Sequence, residues 1–195
     1  MEKRRFWYKV YHAAVSAFAH LFYRFKVTGL ERLPDGACVI CSNHSSNWDV
    51  VFLTVAIGRT TPLIFTPKRS MLRVPILGRM MTLIGVVWID RDNPSDIAPL
   101  RSLLRYLGEG EKVVMFPEGR RMKAGESESA KTGAIMLASR SAAPLVPVHI
   151  PARKRAFSRI TISIGEPFTI AVHGSAERRA RAEELMVRIR ELEPV

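Results

Sequence analysis

Residues 36–58 read GACVICSNHSSNWDVVFLTVAIG, and this run decides the fold. The apolar piece at 37–41 is too short for a helix and reads as a strand buried on both faces. Small polar residues interrupt it at 43–49, NHSSNWD. A second apolar piece then opens near Trp48 or Asp49 and stops at Gly58, as a helix begins and ends. Strand, polar loop and covering helix, in that order, form the repeating unit of a parallel sheet.

The same alternation recurs along the chain. Strands are expected at PLIFTPK, ending at Lys68, at VVWIDR, ending at Asp90 and Arg91, and at KVVMF, PLVPVHI and RITISIGEPFTI. Between them lie a helix broken by Pro75 and Gly78, and a helix carrying Ile97, Leu100, Leu103, Leu104 and Leu107 on one face until Gly108 stops it. AKTGAIMLASRSA gives one more helix, and a charged helix over 175–192 reads as a solvated face. The expected class is a single α/β domain. Its central sheet is mostly parallel or mixed, with helices on both faces and an added amphipathic helix at the N-terminus. The division is 1–26 for that helix and 27–195 for the domain proper.

The 195 residues are 47% hydrophobic, enough for one real core. Thirty Lys and Arg against eighteen Asp and Glu leave a net charge of +12. That excess attracts nucleic acid, an anionic membrane surface or phosphorylated substrates. Dispersed basic residues and the absence of a recognition motif argue against nucleic acid. Cys38 and Cys41 lie three positions apart in one strand and read as buried thiols on opposite faces. No second Cys or His pair stands at ligand spacing, so no metal is expected.

Residues 6–25 repeat Phe6, Trp7, Val10, Tyr11, Ala14, Val15, Phe18, Leu21, Phe22 and Phe25 at helical spacing. Lys3, Arg4 and Arg5 precede this stripe, and Arg24 and Lys26 follow it. Aromatic residues with basic ends suit a helix lying in the membrane interface; the alternative is a helix packed on the protein's own core. No apolar run reaches the roughly 18–20 residues of a membrane span, and no small-residue cleavage site follows the helix.

Ligands of such sheets bind beyond the carboxyl ends of the strands. Three polar clusters sit there: NHSSNWD, DRDN and PEGRR. His44 is the natural base near neutral pH, and Asp49 is placed to fix its tautomer. Glu118, Gly119, Arg120 and Arg121 follow a buried strand; paired guanidiniums suit a phosphate, and Gly119 permits close backbone approach. Lys68 and Arg91 end strands and are expected to face the same cleft. Ser45 and Ser46 stand beside the base, which raises a covalent route, but sequence neighbours seldom point at one another productively.

These motifs resemble the glycerolipid acyltransferases. NHSSNWD looks like their His-x4-Asp motif. FPEGRR looks like their FPEGTRS, with Arg120 for threonine and Met122 for serine, and Arg121 retained. AKTGA fits the Lys-x-Gly that follows. PLVPVHI looks like their apolar strand with an internal proline, which puts Val146 and Pro147 in the acyl-donor region. FTPKRSMLRVPILGRMMTLIGVVWIDR matches their looser second motif. The resemblance is strongest to the bacterial 1-acylglycerol-3-phosphate acyltransferase group, the PlsC-like enzymes.

The resemblance implies an enzyme in which His44, held by Asp49, deprotonates the free hydroxyl of lysophosphatidic acid. That oxygen attacks an acyl-CoA or acyl-carrier-protein thioester, giving phosphatidic acid. Glu118, Gly119, Arg120, Arg121, Lys68 and Arg91 would position the glycerol phosphate. Amides near Gly119 or at the helix start are candidates to stabilise the oxyanion. No cofactor or metal is implied. The expected partners are lysophospholipid, acyl thioester or acyl-carrier protein, and an anionic membrane surface at the cytoplasmic face of a bacterial inner membrane. Two alternatives stand beside it: another acceptor, such as glycerol 3-phosphate or a different lysolipid, and a non-catalytic basic membrane protein.

Overall fold

The computed structural model describes residues 2–59, 61–90, 93, 95–119, 121 and 130–194. Its strands are β1 (Arg24–Thr28), β2 (Cys38–Ser42), β3 (Leu63–Ile64), β4 (Lys112–Met115), β5 (Leu145–His149) and β6 (Arg159–Ile164). They form one sheet in the order β1-β6-β5-β2-β4-β3. Every pairing is parallel except β5 with β6, which is antiparallel, so the sheet is mixed with a parallel centre. The helices are α1 (Glu2–Phe22), α2 (Trp48–Ile57), α3 (Pro75–Ile84), α4 (Ala98–Gly108), α5 (Gly133–Ser141) and α6 (Ser175–Glu191).

Alternation along the strands sends side chains to two cores. Val39, Cys41, Val113 and Leu145 pack with α4, α5 and α6 through Leu103, Leu107, Ile135, Leu137, Leu185 and Ile189. Cys38, Ile40, Val114, Val146, Ile160 and Ile162 pack on the other face with Phe52, Leu53 and Ile57 of α2. Cys38 and Cys41 thus take opposite faces and stay free thiols. Each fully buried aliphatic side chain contributes about 1.5–3 kcal/mol by leaving water.

Two buried charges fix the rim. Lys112 is 2% exposed, and its ammonium donates to the carbonyls of Pro34, Asp35 and Gly36 at 2.6, 3.0 and 2.8 Å. Three acceptors replace the water a buried ammonium gives up. Buried Glu111 pairs with Arg4 and lies 3.7 Å from Arg5, tying α1 to the edge of β4.

Several elements depart from the sequence-based expectations. β3 is two residues long, and around Ile89 the expected strand reduces to a single bridge with Lys68. Pro62 and Pro67 bracket that edge and cannot donate to a ladder. α6 is not a solvated face: Ala182, Leu185, Met186 and Ile189, at helical spacing, are buried. α1 ends at Phe22, because Arg24 joins β1 and its N–H donates to the Ser158 carbonyl at 3.1 Å.

α1 packs against the body through Tyr8 and Ala19, and leaves Phe6, Trp7, Val10, Phe18 and Leu21 exposed. Half of the aromatic stripe therefore points outward. The Phe18 ring stacks on Trp48, the first residue of α2, with centroids 6.0 Å apart and planes 3° from parallel. Among the described residues no helix is long and apolar enough to cross a membrane.

Candidate active site

β2 ends at Ser42, and Asn43 reaches sideways to the neighbouring strand end. Its Nδ2 donates to the Ile150 carbonyl at 2.8 Å, and its Oδ1 accepts the Ile150 N–H at 2.9 Å. One side-chain amide therefore continues the β2–β5 pairing past the last backbone rung.

The next residues close around the Asp49 carboxylate, which is 0% exposed in the first turn of α2. Its Oδ2 accepts three hydrogen bonds: from His44 Nδ1 at 2.9 Å, and from the Ser45 and Ser46 N–H groups at 2.8 Å each. Its Oδ1 lies 2.9 Å from Lys154 Nζ. Burial alone would raise this carboxyl. The bond from His44, the Lys154 ammonium and the backbone donor outweigh burial and hold Asp49 below its ordinary value. A carboxylate that stays ionised and is held at both oxygens can orient an imidazole.

A carboxylate on Nδ1 makes that nitrogen the protonated one and leaves the Nε2 lone pair for chemistry. The imidazole lies on the Phe116 ring, centroids 4.0 Å apart and 19° from parallel. Its side chain is 15% exposed against 0% for Asp49, so the open edge is the one away from the carboxylate. The ring thus has one face on a phenyl, one nitrogen anchored and one nitrogen presented.

The loop after β4 completes this arrangement. Residues 116–119 form a tight turn in which the Gly119 N–H donates to the Phe116 carbonyl at 2.9 Å. Gly119 has φ +71°, in the left-handed region, and a Cβ there would come within 3.0 Å of Lys131 Cγ. The turn aims Glu118 Oε2 at the His44 N–H, 2.8 Å away. Arg121 Nη1 donates to Asn47 Oδ1 at 3.2 Å, which places this exposed guanidinium beside the start of α2. Glu118, expected among the phosphate and glycerol contacts, thus commits one oxygen to the histidine's backbone and ties the two loops together.

Burial pushes the Glu118 carboxyl above its ordinary value, despite the bond from His44 N–H. A raised carboxyl costs stability above its folded pKa, where the charged form is buried, and the cost fades as pH falls and the group protonates. Glu118→Gln keeps a carbonyl for the His44 N–H and loses the charge. It is expected to melt at or above the wild-type temperature at pH 7, with that advantage gone by about pH 4. Thermal unfolding at the two pH values decides; a variant less stable at pH 7 than at pH 4, relative to wild type, contradicts the assignment.

Other expected residues fall differently. Arg91 and Arg120 lie outside the described residues, as does Met122. Lys68 precedes the 3₁₀ helix Arg69–Arg73 and is not among the hydrogen-bond partners of His44, Asp49 or Glu118. Val146 and Pro147 are buried inside β5, so neither offers a surface to an acyl donor. The amides named for an oxyanion are already engaged: Gly119 with Phe116, Ser45 and Ser46 with Asp49, and Trp48 with Ser46 Oγ at 3.2 Å. Neither serine hydroxyl bonds to His44; Ser45 Oγ instead accepts from Lys154 Nζ at 2.6 Å. Lys154, Asn43 and Phe116 went unnoticed in the sequence. Lys154 sits in PARKRAF, a basic run indistinguishable from a solvated loop, and Asn43 finds its partner 107 positions away.

Fold and site geometry together define an α/β protein with a carboxylate-anchored histidine at the carboxyl edge of a parallel strand. The acyltransferase family model matches residues 24–151, from β1 to just past β5, and the chain belongs to that family. The 1-acyl-sn-glycerol-3-phosphate acyltransferase of Bacillus subtilis is 33% identical over 178 residues, covering 86% of this chain and 87% of that protein. The chloroplastic 1-acyl-sn-glycerol-3-phosphate acyltransferase BAT2 of Brassica napus is 32% identical, over 76% of this chain and 43% of its own length. The enzyme of that name from Pseudomonas aeruginosa is 35% identical, over 64% of this chain and 48% of its own. The chain thus spans about half the length of these last two relatives. The crystal structure of the 1-acyl-sn-glycerophosphate (LPA) acyltransferase PlsC from Thermotoga maritima superposes with a TM-score of 0.74 at 23% identity, over 99% of this chain and 83% of that one. That likeness supports the α/β fold.

Proposed function

We propose that this protein moves a fatty acyl group from an acyl-CoA or acyl-carrier-protein thioester to the free hydroxyl of 1-acylglycerol 3-phosphate, giving phosphatidic acid. The observation that carries the reading is the 2.9 Å bond between His44 Nδ1 and Asp49 Oδ2, set beside the Glu118–Arg121 loop. Nε2 takes the hydroxyl proton as the oxygen attacks the thioester carbonyl. The C–S bond breaks, and the leaving thiolate takes the proton back from the imidazolium as free thiol. Asp49 stabilises the imidazolium that forms in between. Arg121, at the mouth, holds the phosphate, with Arg120, Lys68 and Arg91 as further candidate contacts. The names of the relatives support the acceptor, and the family supports acyl transfer.

The test is thiol release by purified protein with acyl-CoA and acyl-carrier protein as donors, and lysophosphatidic acid against glycerol 3-phosphate as acceptors. Turnover with lysophosphatidic acid is expected. Turnover with glycerol 3-phosphate alone transfers the reading to that acceptor, and no thiol with any pair rejects it.

Lysophospholipid resides in bilayers, and the exposed face of α1 gives the protein a way to lie on one. Phe6 is 60% and Leu21 67% exposed; Ile76, at the start of α3, is 85% exposed. With a net charge of +12, anionic lipid is the expected surface. Replacing Phe6, Trp7 and Phe18 together by Ser is expected to weaken binding to anionic vesicles at least about tenfold at physiological salt, since each loses aromatic area from the interface. Vesicle sedimentation measures it, and unchanged pelleting rules the helix out as the contact.

A further inference from the structure

Lys154 lies on the loop after β5, beyond the last of the motifs, yet its side chain is only 5% exposed. An ammonium withdrawn from water is costly unless its protons find acceptors. They do: Nζ stands 2.9 Å from Asp49 Oδ1, donates to Ser45 Oγ at 2.6 Å, and lies 3.5 Å from the Ala152 carbonyl. Ser45 belongs to the loop that carries His44, and Asp49 to the first turn of the helix that follows it. Asp49 therefore has its two oxygens divided, Oδ2 to the histidine and two backbone amides, Oδ1 to the lysine.

We propose that Lys154 is a positioning residue of the acyl-transfer site: it clamps Asp49 Oδ1 and Ser45 Oγ, so that the carboxylate plane is fixed and Oδ2 is held on His44 Nδ1. This deepens the function proposed above and rests on it. A carboxylate bonded through one oxygen can rotate about its terminal torsion, which is broad for Asp. An ion pair between the second oxygen and a buried cation opposes that rotation.

The remaining charged groups around the cluster come from three sides. Glu118 and Arg121 approach from the loop after β4. His149, at the end of β5, feels both Lys154 and Glu193, and Arg190 of α6 acts on Glu118. Glu118 meets His44 through the backbone N–H rather than the ring. Among the described residues Asp49 is the only carboxylate bonded to a ring nitrogen of His44.

The test is NMR of the His44 Nδ1–H at one fixed pH in wild type, Lys154→Met and Lys154→Arg, reading its exchange with water, alongside thiol-release kinetics. Lys154→Met is expected to speed exchange of the His44 Nδ1–H with water about tenfold or more, as the carboxylate that accepts it loosens. Its plateau kcat falls about tenfold or more, with KM changed less than threefold. Lys154→Arg keeps the cation and returns the exchange rate most of the way to wild type. An unchanged exchange rate in Lys154→Met, a loss carried by KM, or an arginine variant indistinguishable from the methionine one overturns the proposal. The exchange measurement needs no substrate, so it reads the clamp even if the wild type releases no thiol, which would reject the acyl-transfer reading instead. Should neither variant fold, 15N-lysine spectra of the wild type decide. Two ammoniums protected from exchange with water are expected, those of Lys112 and Lys154, and a single protected one overturns the clamp.

Discussion

His44→Ala is expected to lower kcat for acyl transfer by about 10²- to 10⁴-fold, the range for a lost general base. The acceptor hydroxyl then has no group to take its proton as it attacks. Folding should survive, because the change leaves no uncompensated charge. Asp49 Oδ2 keeps the Ser45 and Ser46 amides, and Oδ1 keeps Lys154. The stability cost is that of one buried hydrogen bond and one ring contact on Phe116, about 1–3 kcal/mol. Steady-state thiol release beside a melting curve separates the two quantities. A variant within tenfold of wild-type kcat means that the imidazole is not the base.

Asp49→Asn is expected to do more damage, to fold and rate together. The carboxylate faces donors on both sides: three N–H groups on Oδ2 and an ammonium on Oδ1. An amide has one acceptor end. If its oxygen faces the loop, its NH₂ meets Lys154; if it turns round, the NH₂ meets the His44, Ser45 and Ser46 donors. Neither orientation satisfies the site, and Lys154 is left as a buried cation without its counter-charge. Breaking such a pair from one side costs about 3–5 kcal/mol, or a melting-temperature drop on the order of 10 °C for a domain of this size. The wrong tautomer of His44 lowers kcat by about 10³- to 10⁴-fold besides. Urea unfolding and thiol release measure the pair. A variant as stable as wild type would show that Asp49 carries no buried charge.

The His44–Asp49 pair was legible because both residues belong to one strand-loop-helix unit, and five positions suffice to wrap a turn around a carboxylate. α2 and β2 followed from apolar runs with clear ends. Periodicity failed where neighbours decide the outcome. β3 is short because prolines flank an edge, and α6 buries Leu185 and Ile189 although its sequence is mostly charged. Lys154 was hidden for a related reason: a lysine in a basic loop looks solvated until a carboxylate from another element is seen beneath it. Pro147 carried a recognisable pattern, but the pattern marks a buried strand rather than a surface. Asn43 with Ile150 illustrates the general limit, since a bond spanning 107 positions leaves no local trace.

The stack of Phe18 on Trp48 has a mechanical consequence. Trp48 is one residue from the carboxylate that orients His44, and Phe18 belongs to the helix proposed to rest on lipid. A protein held through that helix cannot tilt without carrying the His44–Asp49 pair with it. The height and heading of the opening above the bilayer would then be set by two parallel rings, and a lipid would arrive by sliding within its own leaflet rather than by escaping into water.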